Sequence, residues 1–269
     1  MNIDKFLLDA LNEDMPQGDI TTDNIFDDNH QSNASFIAKE DGILSGIDIC
    51  LRVFQLLGDD FTFTKFKNDG DELKKGDIIA KISGSTKIIL KGERVALNML
   101  QYMSGIATIT NVYVKHMVGN TKLLDTRKTT PNLRYFAKKA VKDGKGTNHR
   151  YSLSDMVMLK DNHIMAKGGI TNAVKAIKPL VNTKIEVEVE TIEQFKEALN
   201  TECDIIMLDN MNNEMMRECV LLNNGKKELE ASGNMTLERL HDVCLTGVDY
   251  ISVGAITHSF KALDISLKF

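Results

Sequence analysis

The sequence has no CxxC pair and no Cys/His cluster at metal-ligand spacing; its four cysteines, Cys50, Cys203, Cys219 and Cys244, are scattered. That pattern argues against a zinc ribbon or a disulfide framework and fits reduced thiols used as core filler. Excess positive charge is also lacking, because 33 Lys and Arg face 38 Asp and Glu, giving a formal net charge of -5. Non-specific nucleic-acid binding needs a basic face strong enough to displace counterions, so any cationic site here must be local. The N-terminus, MNIDKFLLDALNEDMP, lacks the basic start and continuous apolar stretch of a signal peptide. No later run approaches the ~18 apolar residues of a membrane span, so a cytoplasmic protein without membrane association is expected. Neither GxGxxG nor GxxxxGK(S/T) occurs, which leaves a dinucleotide fold and a nucleoside-triphosphate loop without support.

What is present is an ordinary globular composition, 42% apolar and 26% charged, in a chain of 269 residues that permits one large domain or two moderate ones. Ile3, Phe6, Leu7, Ala10 and Leu11 recur at helical spacing and predict an amphipathic helix whose acidic polar face suits a core better than a membrane surface. From about 35 to 90, short β-type runs broken by Gly and Asp (SFIAKEDGILSG, FTFTKF, DIIAKI, KIILK) predict a compact antiparallel unit. Within it, NDGDELKKGDIIAKISG is similar to the hammerhead hairpins of biotinyl and lipoyl carriers, so a carrier-type binding module is the reading from a different class. No lysine stands between the small or Met neighbours that such carriers display, and a carrier would explain nothing after residue 91. Residues 91 to 117 then predict a long helix, and no Gly-, Ser- or Pro-rich linker separates the halves.

Six β-rich runs follow: 122 to 128, 156 to 160, 184 to 190, 203 to 210, 227 to 233 and 248 to 255, most of them separated by helix-like stretches. Strand then helix, repeated, predicts parallel strands with covering helices. Each run ends in polar, charged or glycine residues: Arg127 and Lys128, Lys160, Glu188 and Glu190, Asp209, Ser232 and Gly233, and Gly254. A closed parallel barrel brings all those ends to one mouth, where barrel enzymes keep their chemistry. The last two turns, ASGNMT and SVGAITHS, occupy the positions that bind phosphate in many barrels.

A lone Lys or Arg at a strand end is ordinarily a solvated rim residue, so the weight falls on the joint pattern. Arg127, Lys128, His149, Arg150 and Lys160 converge on one mouth in this arrangement. Two like charges ~4 Å apart cost about 4 kcal/mol at an effective dielectric of ~20, so such a cluster implies a bound polyanion. Glu190 and Asp209 end neighbouring strands and suit Mg²⁺, which takes carboxylate and phosphate oxygens together. Glu188 shares a strand face with Glu190, and one of the two is available to pair with Lys160. Lys160 also has a competing reading as an imine-forming lysine.

The runs EDMPQGDITT (13 to 22), ERVALNMLQYMSGIAT (93 to 108), DTRKTTPNLR (125 to 134), TNHR (147 to 150), LKDNH (159 to 163), VEVE (187 to 190), MLDNM (207 to 211), LEASG (229 to 233) and GVDYISVGAITHS (247 to 259) cover nearly the whole chain. In this order they resemble quinolinate phosphoribosyltransferase, the type II phosphoribosyltransferase family of NAD synthesis. The resemblance implies an N-terminal α/β sandwich domain (1 to 105, joined by the tail 260 to 269) and a six-stranded, TIM-like but incomplete α/β barrel (106 to 259). It also implies a homodimer in which Arg94 of one subunit reaches the other's site, with assembly into a hexamer left open.

On that resemblance the counterparts of Arg94, Arg127, His149, Arg150 and Lys160 grip the pyridine dicarboxylate, with Lys128 in the same cationic pocket. Glu190 and Asp209 hold phosphoribosyl pyrophosphate and Mg²⁺, while Ser232, Gly233 and Gly254 surround the 5-phosphate. Lys160, Glu190 and Asp209 are the expected catalytic residues. The implied reaction yields nicotinate mononucleotide, pyrophosphate and CO₂. A molybdenum-operon relative and a nicotinate phosphoribosyltransferase are the alternatives within the fold. Two positions depart from the family pattern, Lys145 within DGKGTNHR and Asn234 after Gly233.

Overall fold

The structure, a computed structural model, describes all 269 residues and divides into two compact units. The first comprises residues 1–111, 135–145 and 260–269. Its first helix, α1 (Ile3–Asp14), starts where the Asn2 side chain accepts the Lys5 amide at 3.1 Å, and it buries Leu7 and Leu11. After α2 (Ile20–Ile25) come β1 (Gln31–Ala38), the two-residue β2 (Gly42–Ile43), α3 (Ile47–Gln55), β3 (Phe61–Lys65), β4 (Glu72–Leu73) and β5 (Ile78–Ser85). The last strand of the chain, β12 (Ile265–Lys268), completes an antiparallel sheet in the order β12-β1-β5-β3. Helix α3 places Ile47, Cys50, Val53 and Phe54 in the core. Phe54 meets Phe36 of β1 with ring centroids 6.1 Å apart, a contact of sheet and helix.

The run KIILK, expected as a strand, instead lies in the first turns of the long helix α4 (Thr86–His116). Ser85 precedes it, and its hydroxyl faces the Ile88 amide at 3.5 Å, so a cap signal and the helical periodicity downstream override local β propensity. The C-terminal tail joins this unit at Gly105, where an added Cβ would stand 2.3 Å from the Lys261 carbonyl oxygen. Gln101 continues the tie, donating to the Ile265 carbonyl at 2.7 Å and accepting the Leu263 amide at 3.1 Å. The unit also takes in 106–111 and 135–145, stretches that the sequence reading assigned to the barrel. Lys139 on α5 (Arg134–Asp143) pairs with Asp69, which receives the Gly46 and Ile47 amides at the start of α3.

The second unit comprises 112–134 and 146–259. Its six parallel strands are β6 (Lys122–Leu124), β7 (Val157–Leu159), β8 (Ile185–Val189), β9 (Ile205–Asp209), β10 (Glu228–Ser232) and β11 (Tyr250–Ser252). Between them run α6 (Asp161–Lys167), α7 (Ile170–Ile177), α8 (Ile192–Leu199), α9 (Asn213–Asn223) and α10 (Leu237–Cys244), and α11 (Ala255–His258) follows β11. The ladder runs β6-β11-β10-β9-β8-β7, so the sheet is not fully closed, because no ladder joins β6 to β7. Thr147 instead bridges β6 on its free side, its amide donating to Leu123 and its carbonyl accepting from Asp125. From the same segment Arg150 Nη1 donates to the Met156 carbonyl at 3.0 Å, just before β7. The TNHR motif therefore seals the seam that a seventh and eighth strand close in a full barrel. All four cysteines are buried and free, and burial pushes the Cys219 thiol up to about 12. No helix is long and apolar enough to cross a membrane.

Candidate active site

Successive residues of a strand face opposite ways, and the strands of the second unit use that period to separate two chemistries. Val187, Val189, Ile206, Leu208, Leu229, Ala231 and Ile251 are buried and apolar. The alternate positions, Met158, Lys160, Glu188, Met207, Asp209, Glu230, Ser232 and Ser252, line a cavity of about 530 Å³. Thr126, Arg127, Lys128, His149, Arg150, Asn210, Gly233 and Asn234 complete its wall from the segments beyond the strand ends. The volume suits a small-molecule substrate.

The basic side chains are arranged in two tiers. Lys160 forms an ion pair with Glu188, whose side chain is only 12% exposed. His149 sits deeper, with Nε2 3.2 Å from both Glu186 Oε2 and Glu230 Oε2. Burial favours the neutral imidazole and the two carboxylates favour the charged one, pulling its pKa upward, but the Arg150 amide aimed at Nδ1 at 2.7 Å keeps that nitrogen bare and the ring neutral. Glu186 is itself raised by burial and by the Glu230 charge. Arg127, Lys128 and Arg150 form the other tier. Arg127 Nε is buried without a hydrogen-bond partner, an orphan donor of the kind an anion satisfies. Burial, then the Arg127 charge, holds Arg150 below the usual guanidinium range.

The local backbone explains why these side chains converge. Asp125, fully buried, accepts the His149 amide at 2.8 Å and so fixes the segment that carries His149 and Arg150. The Lys160 amide donates to His163 Nδ1 at 3.1 Å, which gives His163 a capping role at the start of α6 that the sequence had not suggested. At the β10 turn, Gly233 has φ +87, and a Cβ there would stand 2.2 Å from Asn210 Oδ1. Asn234 follows at φ 49, a left-handed conformation that Asn adopts more readily than most residues. Lys145 also has a positive φ, 70, where the turn after α5 favours glycine.

Of the residues singled out from the sequence, Arg127, Lys128, His149, Arg150, Lys160, Asp209, Ser232 and Gly233 line this one cavity. Gly254 lies at its edge: a Cβ there would come within 3.1 Å of Lys128 Cδ. Glu190 does not belong to it. Strand β8 ends at Val189, and Glu190 is exposed, its amide donating to Gln194 Oε1 at 2.8 Å. Glu188, the same-face neighbour within the strand, occupies the lining instead. Arg94 is an exposed residue of α4 in the first unit and is not part of this lining. The ion-paired Lys160 differs from imine-forming lysines, which sit in apolar pockets or beside other cations. Sequence reasoning missed Glu186 and Glu230; the alternation IEVEVE and the position of Glu230 two residues before Ser232 were the available signals.

Two family models match the chain: the quinolinate phosphoribosyl transferase N-terminal domain over residues 19–104 and its C-terminal domain over 106–268. A probable nicotinate-nucleotide pyrophosphorylase (carboxylating) of Bacillus subtilis is 43% identical over 99% of this chain and 93% of its own length. A chloroplastic nicotinate-nucleotide pyrophosphorylase of Arabidopsis thaliana is 44% identical over 96% of this chain and 80% of its own. Among solved structures, NadC from Streptococcus pyogenes superposes with a TM-score of 0.95 at 44% identity, covering 99% of this chain and 95% of that one.

Proposed function

Because the chain belongs to the quinolinate phosphoribosyltransferase family, we infer that it transfers the phosphoribosyl group of phosphoribosyl pyrophosphate to quinolinate with loss of CO₂, a reaction of NAD biosynthesis. The observation that carries this reading is the gathering of Arg127, Lys128, Arg150 and Lys160 around one cavity of a protein with net charge -5. A dicarboxylate acceptor and a pyrophosphate donor supply the negative charge those side chains need, whereas an acceptor with one carboxylate requires fewer cations.

Arg127, with its unpartnered buried Nε, and Arg150 suit the acceptor's carboxylates, which guanidinium groups bind through paired donors. Lys128 and Lys160 suit the donor and the departing pyrophosphate. Ser232, Gly233 and Gly254 line or edge the end of the cavity formed by the last two strands, which suits the 5-phosphate. Glu188 and Asp209, on adjacent strands, offer the hard carboxylate oxygens that Mg²⁺ prefers, and the donor set fits that ion. Held by these two carboxylates, Mg²⁺ would supply positive charge to neutralise the pyrophosphate.

The chemistry follows from where charge develops. The C1–oxygen bond breaks with its electron pair leaving on pyrophosphate, the basic residues stabilise that charge, and the ring nitrogen forms the new bond to the oxocarbenium-like carbon. The ring becomes cationic. It thereby stabilises the electron pair left on C2 when the adjacent carboxylate departs as CO₂, and C2 then takes a proton. We further propose a cytoplasmic homodimer in which Arg94 of the partner subunit completes the cationic wall.

Incubation with quinolinate, phosphoribosyl pyrophosphate and Mg²⁺ should yield nicotinate mononucleotide and equimolar CO₂ by mass spectrometry and gas release. Turnover with nicotinate and none with quinolinate would overturn the assignment.

A further inference from the structure

Beneath the mouth, Glu186 and Glu230 remain without a role in the reaction above. Glu186 is wholly enclosed and Glu230 is 1% exposed, and both oxygens of Glu186 and Oε1 of Glu230 have no hydrogen-bond partner. Buried carboxylates are costly unless something between them supplies positive charge or a hydrogen. His149 occupies that place, with Nε2 3.2 Å from an oxygen of each.

Two arrangements compete for such a cluster. The three ligand atoms lie within 4.8 Å of one another, a span that a small metal ion bridges. A metal on Nε2 requires that nitrogen bare and the ring hydrogen on Nδ1, from which ligating histidines donate outward to an acceptor. Here Nδ1 faces a donor, the Arg150 amide, at 2.7 Å. Two hydrogens cannot share that line. The hydrogen-bond network therefore puts the ring hydrogen on Nε2, pointing between the two carboxylates.

We propose that Glu186 and Glu230 are positioning residues for phosphoribosyl transfer: they hold the His149 ring with its hydrogen on Nε2 and, through Nδ1, fix Arg150 for the acceptor's carboxylates. The inference rests on the proposed reaction for its functional consequence. Structurally it stands alone. The His149 amide is held by Asp125 at 2.8 Å, the Arg150 amide by Nδ1, and Arg150 Nη1 by the Met156 carbonyl at 3.0 Å. Each link constrains the next, so the carboxylate pair reaches Arg150 without touching substrate. Both ring nitrogens are thereby committed within the protein, and the proposal assigns the grip on the acceptor to Arg150.

The test combines ¹⁵N NMR of labelled histidine in the full-length protein with steady-state kinetics of Glu230→Ala, Glu230→Gln and Glu186→Gln. In the wild type, the signals that vanish in His149→Gln should be one protonated Nε2 and one bare, hydrogen-bond-accepting Nδ1. Glu230→Ala should raise the KM for quinolinate about tenfold and leave that for phosphoribosyl pyrophosphate within about twofold, the scale of one lost buried hydrogen bond. Glu230→Gln keeps an acceptor oxygen of the same shape and should recover most of the loss. Should Glu230→Ala not fold, the two Gln variants carry the kinetic comparison. A protonated Nδ1, stoichiometric zinc or manganese on the purified wild type, or equal rises in both KM values would overturn the proposal. An inactive wild type with the Nε2 hydrogen in place would instead overturn the reaction and leave the geometry standing.

Discussion

The six-stranded sheet carries two polar hollows of similar size at its opposite ends, about 530 Å³ beyond the C-terminal ends of the strands and about 430 Å³ at their N-terminal ends. Both are lined by lysines and carboxylates. At the N-terminal end the charges that face inward have an internal answer, and only Lys226 is left exposed to solvent: Lys184 pairs with Glu228, and Lys227 donates to the Thr201 and Cys203 carbonyls at 3.0 and 2.6 Å. Asp204 and Asp249 receive the Ile185 and Leu229 amides at 2.8 Å each. At the C-terminal end, Arg127 Nε is buried with no acceptor, and the three cations Arg127, Lys128 and Arg150 have no carboxylate pairing with them. Charge that satisfies itself stabilises a fold; charge left unsatisfied at strand ends waits for a ligand.

Breaking that contrast is simplest at its active end. Lys160→Ala should lower turnover by about 10²–10³, the cost of one charge-stabilising group in a closed site. Glu188→Gln should fall in the same range, whereas Glu190→Ala, at an exposed position past the strand, should stay within about twofold of wild type, as surface changes usually do. Equal losses in Glu188 and Glu190 variants would sink the placement of the carboxylate. The next effect in size is Arg127→Ala, which should raise the quinolinate KM about tenfold to a hundredfold through loss of a charged hydrogen bond worth about 1.5–3 kcal/mol. The KM for phosphoribosyl pyrophosphate should move far less, and thermal unfolding should show the folded state intact.

Much of the contrast was readable before any coordinates. All six strands fall inside runs read from the sequence, because parallel strands with polar ends announce both the period and the direction. The failures have separate causes. KIILK looked like a strand because Ile88, Ile89 and Leu90 are apolar neighbours, yet the helix that begins at Thr86 decides their conformation. Alternation puts Glu188 and Glu190 on one face and leaves the choice open, and the family resemblance alone selects Glu190; neither says where the strand stops, and it stops at Val189. The seam between β6 and β7 was invisible for a third reason. A run such as TNHR has no periodicity, and only the bridge of Thr147 to Leu124 reveals that it works as sheet edge and site wall together.

The smallest expected effect sharpens the comparison from the quiet end. Glu228 accepts from Lys184 and from the Tyr250 hydroxyl at 2.9 Å, and the Lys184 ammonium, against partial burial, holds its carboxyl below the ordinary 4.5. A carboxyl lowered on folding contributes stability above its unfolded value, and that contribution disappears as pH falls through the folded one. Its side chain is 38% exposed and Lys184 54%, so solvent screening limits the contribution to about 1 kcal/mol or less. Glu228→Gln should therefore lower denaturation midpoints slightly at pH 7, and the difference from wild type should vanish as pH falls through the lowered value of the folded carboxyl. Quinolinate turnover at pH 7 should not change. If Glu228→Gln cost as much activity as Arg127→Ala, the two ends of the sheet would not be chemically separate, and the division between satisfied and unsatisfied charge would lose its meaning.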